Sequence, residues 1–375
     1  MFKKSMIAAT IIGSFAALPA HAYKIGTENG MNVEVYGVIA VDLNYYADSK
    51  PSAGYDINNE SRVGFRAGKQ MFDDFEVFAQ IESGYVGDDG DSGKLGARDT
   101  FIGAKGSWGT ARFGRMLTPL YELIDWPYSN PGLGQVFDWG GDFAGNYDRK
   151  SDTIRYDSPV MSGFSFSVAT GRGNTNSTGN NWYGASAHYK VIDALTLHAG
   201  YESDSNHEIS AKTAPSKELS GGVGDTPVWV PVDGKDAVLG DRSTYLVGFE
   251  ASLPAGFGFS GAFKSAELKV QNGQKKTQDS MSLVGQYWNG PVGFKLGYAQ
   301  NFDLKVDGKK IENSKDSVVA GQLMAVVNDF VPYVRIGHRD LQRGDKGVVA
   351  PGASVFTTPE VAKGMFYMVG MEYGF

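Results

Sequence analysis

The chain has 375 residues, 13% of them aromatic, with 50 glycines, no cysteine and a formal charge of −7. The lack of cysteine excludes disulfides and thiolate metal sites, and the acidic balance argues against a nucleic-acid partner. Mean hydropathy is negative, and beyond the amino terminus no stretch approaches the roughly 20 apolar residues of a spanning helix.

In chain order, Lys3 and Lys4 precede an apolar run from Met6 to Leu18, and Ala20-His21-Ala22 follows as a small-x-small site. This is the pattern of a secretory signal peptide over residues 1–22. Its removal leaves 23–375 as a single domain and takes the charge from −7 to −9. A strict period of two then begins: Val33, Val35, Ile39, Val41, Leu43 and Tyr45 share one face, with Glu34, Tyr36, Asp42 and Asn44 on the other. Arg62 to Gly68 and Phe75 to Glu82 alternate likewise around Asp73-Asp74, a hairpin with a short turn. Further strands are expected near 98–105, 110–115, 153–159, 163–170, 182–189, 195–202, 243–252, 257–264, 280–288, 292–302, 316–328, 330–339 and 364–375.

The last strand sets Met365, Tyr367, Val369, Met371, Tyr373 and Phe375 on one face, wholly apolar, as a strand exposed to lipid requires. Alternation also explains how a chain of negative hydropathy sits in a membrane, since each strand shows apolar groups on one side only. About sixteen such strands make an all-β transmembrane antiparallel barrel in a Gram-negative outer membrane. Short turns such as Gly106-Ser107-Trp108-Gly109, Met161-Ser162-Gly163 and Asn289-Gly290-Pro291 oppose long polar loops such as Ser203 to Arg242. A soluble solenoid or propeller needs a fixed internal repeat, and the sequence has none.

Residues 116–150 depart from the pattern. They are rich in apolar and aromatic groups, which suits a loop folded into the pore as a constriction rather than a surface excursion. Within them Asp125-Trp126 recurs as Asp138-Trp139. An indole offers a flat apolar plate to the C–H face of a sugar ring, and a neighbouring carboxylate accepts hydrogen bonds from hydroxyl or amide groups. The alternative is that both indoles anchor the loop or belong to an interfacial girdle. On the inward faces Arg62, Arg66, Arg98, Arg112, Arg115 and Arg155 form a basic wall opposite Glu122, Asp125, Asp138 and Asp142, giving a transverse field that favours dipolar solutes.

Catalytic and metal motifs fail on context. His207-Glu208 starts a zincin pattern, but Ala211 stands where the second His belongs. Gly256-Phe257-Gly258-Phe259-Ser260-Gly261 fits the dinucleotide fingerprint but lies in an alternating strand. Asp88-Asp89-Gly90-Asp91-Ser92-Gly93 lacks calcium-loop spacing, and no Gly-x-Ser-x-Gly elbow occurs. No enzyme activity, metal or cofactor is therefore expected.

Ser61-Arg62-Val63-Gly64-Phe65-Arg66, Phe101-Ile102-Gly103-Ala104-Lys105-Gly106 with Trp108-Gly109-Thr110-Ala111-Arg112-Phe113-Gly114-Arg115, and Ile154-Arg155-Tyr156-Asp157-Ser158-Pro159 resemble the conserved pieces of the trimeric general porins of Gram-negative bacteria. The doubled Asp-Trp resembles the chitoporins of marine vibrios. That resemblance implies passive uptake of chitooligosaccharides, with Asp125, Trp126, Asp138 and Trp139 as the sugar site, a homotrimeric assembly, and contact with outer-membrane lipid and lipopolysaccharide. Chitoporins also carry a short amino-terminal plug, for which Tyr23 to Gly30 is the available stretch. The competing reading is a general diffusion porin for ions and small hydrophilic solutes.

Overall fold

The computed structural model describes residues 23–26, 30–48, 54–84, 95–129, 133, 135–139, 147–173, 179–210, 216–223, 226–232, 237–271, 273–342 and 361–375. The signal segment 1–22 lies outside these residues. In chain order the strands are β1 (Tyr23–Gly26), β2 (Asn32–Asp48), β3 (Gly54–Asn59), β4 (Arg62–Phe72), β5 (Phe75–Glu82), β6 (Thr100–Gly106), β7 (Gly109–Leu117), β8 (Arg149–Asp157), β9 (Phe164–Arg172), β10 (Asn181–Ile192) and β11 (Leu195–Ser210). They continue as β12 (Ser216–Val223), β13 (Thr226–Val232), β14 (Val238–Ser252), β15 (Phe257–Val270), β16 (Lys275–Asn289), β17 (Val292–Asn301), β18 (Lys305–Val306), β19 (Lys309–Lys310), β20 (Asp316–Ala325), β21 (Phe330–Gln342) and β22 (Val361–Gly374).

Each wall strand pairs antiparallel with the next. β2 pairs β4 along one edge, Asn32 opposite Gly68, and β22 along the other, Val38 opposite Gly374. Among the described residues the wall strands pair all the way round, which is how a sheet in lipid keeps its backbone donors satisfied. β3 and β4 both lie along β2 and are separated by Glu60 and Ser61, making two halves of one wall strand. Counted so, the described residues form a closed barrel of 16 antiparallel strands. β1 shares the β22 edge of β2, with Tyr23 opposite Val35. Tyr23–Gly26 is thus part of the wall rather than a plug in the lumen.

Alternation works as expected. Ile39, Leu43, Tyr45, Val247, Phe249, Leu296, Ile336, Val369 and Met371 stand exposed on the outside, while Asp42, Asn44, Lys264, Lys295 and Arg335 on the intervening positions are buried within. Two expectations need correction. The stretch Ser203 to Arg242 is not one loop: β11 runs on to Ser210, β14 begins at Val238, and β12 and β13 pair as a separate hairpin. In sequence Thr226, Val228, Val230 and Val232 alternate with Pro227, Trp229 and Pro231, so β-branched residues recur at every second position, as a strand favours. The loop of 116–150 is also shorter than expected, because Met116 pairs Lys150 and Leu117 pairs Arg149 after a register shift at Gly114.

Candidate functional site

Between β7 and β8 the chain forms α1 (Pro119–Leu123), an irregular helical turn Ile124–Ser129, and α2 (Gln135–Trp139). Thr118 starts α1 as its cap, its hydroxyl accepting from the Tyr121 amide at 3.3 Å, with Pro119 in the first turn. Both are favoured there, the hydroxyl by an orphan N–H and Pro by its fixed φ. Trp126 interrupts the helical run with extended φ/ψ of −140° and 127°.

This segment packs on the inner wall. Leu120, Ile124, Tyr128, Leu133 and Phe137 are fully buried in one cluster with Leu246, Ala262, Val284, Ala299, Val318 and Ala320, residues that alternate with the exposed outer band. Burying each large side chain stabilises the seat by about 1.5–3 kcal/mol. Glycines make the approach feasible: a Cβ at Gly248 would collide with the Tyr128 hydroxyl, and one at Gly297 would stand 2.9 Å from Leu133 Cβ. Wall side chains then hold the loop carbonyls. Ser282 donates to Tyr128 O at 2.6 Å, Asn301 to Val136 O at 2.8 Å, and Lys264 to Phe137 O. Lys264 also reaches the Tyr147 hydroxyl at 2.6 Å, which donates to Asp138 O at 2.9 Å.

The four candidate sugar contacts are placed unequally. Trp126 is half-buried, and its ring carries Lys295 Nζ 4.9 Å from its centroid. Asp125, also half-buried, faces the charges of Arg98, Arg149 and Arg62, which oppose the upward shift that burial imposes on its carboxyl. Burial and the charge of Asp125 push Asp138 up to about 7, against the pull of Lys264. The charges of Asp125 and Asp138 thus act on one another. Trp139 closes α2, but its side chain lies outside the described residues, as does Asp142.

The arginines divide by role. Arg62, Arg98 and Arg149 act on Asp125; Arg98 is itself paired to Glu82, which accepts from Tyr36 at 2.8 Å. Arg66 stacks 3.9 Å above Tyr36 and donates to Gln80 at 3.0 Å. Arg115 donates to Ala97 O at 2.7 Å and Ser151 at 3.0 Å. Arg112 pairs Asp157 at 2.7 Å. Arg155 is buried at the root of the loop, bonded to Glu122 at 2.5 Å, Asp157 at 2.7 Å and Leu117 O at 3.0 Å. Glu122 is held by Arg155 and does not stand free across the lumen.

Sequence reasoning missed several inward groups: Arg149, Lys264 and Lys295, and the cluster in which Arg335 bonds Gln322 at 2.7 Å and Tyr333 donates to Asp42 at 3.3 Å. The signal was a lone cation at an inward position between large apolar neighbours, as in Phe294-Lys295-Leu296 and Val334-Arg335-Ile336; Lys264 has such a neighbour on one side only, Phe263.

Comparison with known proteins adds to this geometry. The profile described as Gram-negative porin matches residues 8–322. A chitoporin of Vibrio furnissii is 47% identical over 393 aligned residues, spanning 100% of this chain and 99% of that protein. The major outer membrane protein P.IB of Neisseria sicca is 25% identical over 85% of this chain and 88% of its own length. Among solved structures, the anion-selective porin from Comamonas acidovorans superposes with a TM-score of 0.69 at 19% identity, covering 92% of this chain and 100% of that one. The outer-membrane expressed OmpT of Vibrio cholerae gives 0.67 at 18% identity, over 94% and 100%. A closed 16-stranded wall, a loop seated on its inner face and a profile match over most of the length agree: this outer-membrane chain belongs to the Gram-negative porin family.

Proposed function

We propose that the protein is a water-filled channel for passive uptake of chitooligosaccharides, narrowed by the loop between β7 and β8. The observation that carries this reading is full-length similarity to the Vibrio furnissii chitoporin. Trp126 supplies a stacking plate, with Trp139 as the second, and Asp125 and Asp138 accept hydrogen bonds from sugar hydroxyls and acetamido N–H groups. Arg62, Arg66 and Arg98 on the opposite wall complete a transverse field with Asp125. Binding at each step is strong enough to capture sugar and weak enough to release it. The channel works as a homotrimer; among its fold neighbours OmpT of Vibrio cholerae is described in a trimer form.

Lys295 already covers one face of Trp126, which favours a second reading: an indole that packs rather than binds, in a general diffusion channel. Single-channel currents in a planar bilayer separate the two. Discrete blocking by chitohexaose, absent with maltohexaose and lost in both Trp126→Ala and Trp139→Ala, supports the sugar channel. Currents indifferent to both sugars leave a general diffusion pore. Mass measurement by light scattering tests the trimer, and a monomer mass refutes it.

A further inference from the structure

Behind α1 the inner wall is hollowed by glycine. A Cβ at Gly184 on β10 would stand 3.5 Å from Pro119 Cδ, and one at Gly200 on β11 2.7 Å from Leu120 Cδ1, so the helix lies on the backbone of these two strands. Glu202 follows Gly200 on the same face of β11, directly opposite Gly184 in the ladder, and is fully buried. A carboxylate in such a place needs cationic or hydroxyl partners. Glu202 has both, the Lys150 ammonium at 2.7 Å and the Thr118 hydroxyl. Lys150 is buried too, with its Nζ 4.7 Å from the centre of the fully buried Trp182 ring, so its charge is enclosed between an indole of β10 and a carboxylate of β11. The two partners of Glu202 come from opposite ends of one segment. Thr118 caps α1 where the chain leaves β7, and Lys150 is the second residue of β8, to which the chain returns. Across that neck the Thr118 amide donates to Asp148 O at 3.1 Å.

We propose that Glu202 is a positioning residue for transport: one carboxylate on the wall fastens both ends of the loop between β7 and β8 and thereby sets how far the loop stands across the channel. Thr118, Glu202 and Trp182 are each fully buried, so solvent cannot take the place of a missing partner. Buried ion pairs add little stability over apolar packing, and their best-attested use is to fix one arrangement among several, which is what a constriction requires. Arg155 holds the loop through Glu122, inside α1; Glu202 acts on its two ends instead. Asp204, the next acid along the same face of β11, is engaged by Arg242 at 3.2 Å and His207 at 3.5 Å, so two buried carboxylates on one strand serve different elements. The inference rests on the proposal that this loop narrows the channel and is independent of which sugars pass.

The test records single-channel currents of the full protein in planar bilayers for Glu202→Gln, Lys150→Met, the two combined, and Asp204→Asn as a control on the same strand; heat-resistant migration in detergent gels shows that each is folded. Either single change leaves a buried charge without its partner, whereas the double variant removes both charges. The inference expects current variance in KCl to rise at least about threefold in each single variant and to return to within about twofold of the unaltered protein in the double variant. Chitohexaose-blocked times shorten in the single variants and recover with it, while the association rate of the sugar stays unchanged. Where chitohexaose blocks no variant, the variance in KCl alone decides. Quiet currents in Glu202→Gln with only a lowered urea midpoint of the barrel, equal noise in Asp204→Asn, or a double variant as noisy as the single changes multiplied together would overturn it. The chain has no native cysteine, so Trp126→Cys, treated with a bulky charged thiol reagent, tests the constriction separately. A drop in current beside quiet Glu202→Gln channels overturns the role of Glu202 alone; no drop removes the constriction, and the inference with it.

Discussion

Lys295 lies over Trp126 and holds the orientation of that indole. A cation on an indole face contributes about 0.5–2 kcal/mol, and Lys295 stands 4.9 Å from Trp126 and 6.0 Å from Trp288. Lys295→Met keeps the volume and removes the charge. Sugar-blocked dwell times are expected to shorten by roughly two- to thirty-fold, the range that this energy spans, with open conductance nearly unchanged; dwell-time histograms check it. Asp138 gives a pH signature. A carboxyl raised to about 7 is mostly neutral at pH 6 and mostly charged at pH 8, so cation preference is expected to rise with pH across about that window. Reversal potentials in a KCl gradient measure this, and Asp138→Asn flattens the profile. Because Asp125 and Asp138 interact, the step belongs to the pair. Asp125-Trp126 stood out in the sequence because an acid–indole pair repeated in an apolar loop has few structural reasons, and the sugar-blocking experiment decides its role. Lys264 and Lys295 did not, since a single inward cation carries no motif and its partners come from residues far away in sequence.

The loop between β7 and β8 is an element secured at two places, its root and its far wall. At the root Arg155 binds Glu122, Asp157 and Leu117 O. Removing one partner of a fully buried ion pair costs about 3–5 kcal/mol; Glu122 is 41% exposed and Asp157 keeps Arg112, so the loss here is smaller, and it falls on the loop, because the wall ladders do not involve the Arg155 side chain. Arg155→Ala is expected to leave a barrel that folds and resists heating in detergent, yet shows noisy open currents and weaker sugar block. Quiet currents with wild-type block would remove Arg155 from the anchoring of the loop. That the segment packs on the barrel was readable from Leu120, Leu123, Ile124, Tyr128 and Phe137, too apolar for a solvated excursion. Its wall contacts were not, for Gly248 and Gly297 look like ordinary strand glycines until Tyr128 and Leu133 lie against them. β12, β13, β18 and β19 were missed for another reason: outside the lipid band nothing forces one face to be apolar.

The barrel as a whole owes its shape to the lipid on one side and water on the other, and this is why most strands could be read from period two alone. Several ends were set too short, β11 by eight residues against Ser210, because strands continue beyond the band that imposes the pattern, while the end expected at 328 overshoots β20, which stops at Ala325. Val369, 56% exposed on β22, tests the lipid face. Val369→Arg is expected to cost up to about 2–4 kcal/mol, depending on its depth in the bilayer, and Phe366, buried on the inward phase of the same strand, is no part of that face. Urea titration of refolding into vesicles gives the difference, and a cost near zero would place position 369 away from hydrocarbon. The pairing of β2 with β22 has a temporal consequence. One edge of the first long strand finds most of its partner only in the final one, with Asp48 opposite Gly364. No partial chain made from the amino end can therefore complete the ring, and the growing wall carries an open edge until its last segment arrives. Insertion must then wait for an entire chain, held unaggregated in the space between the membranes, and the seam is the slow, long-range event of assembly.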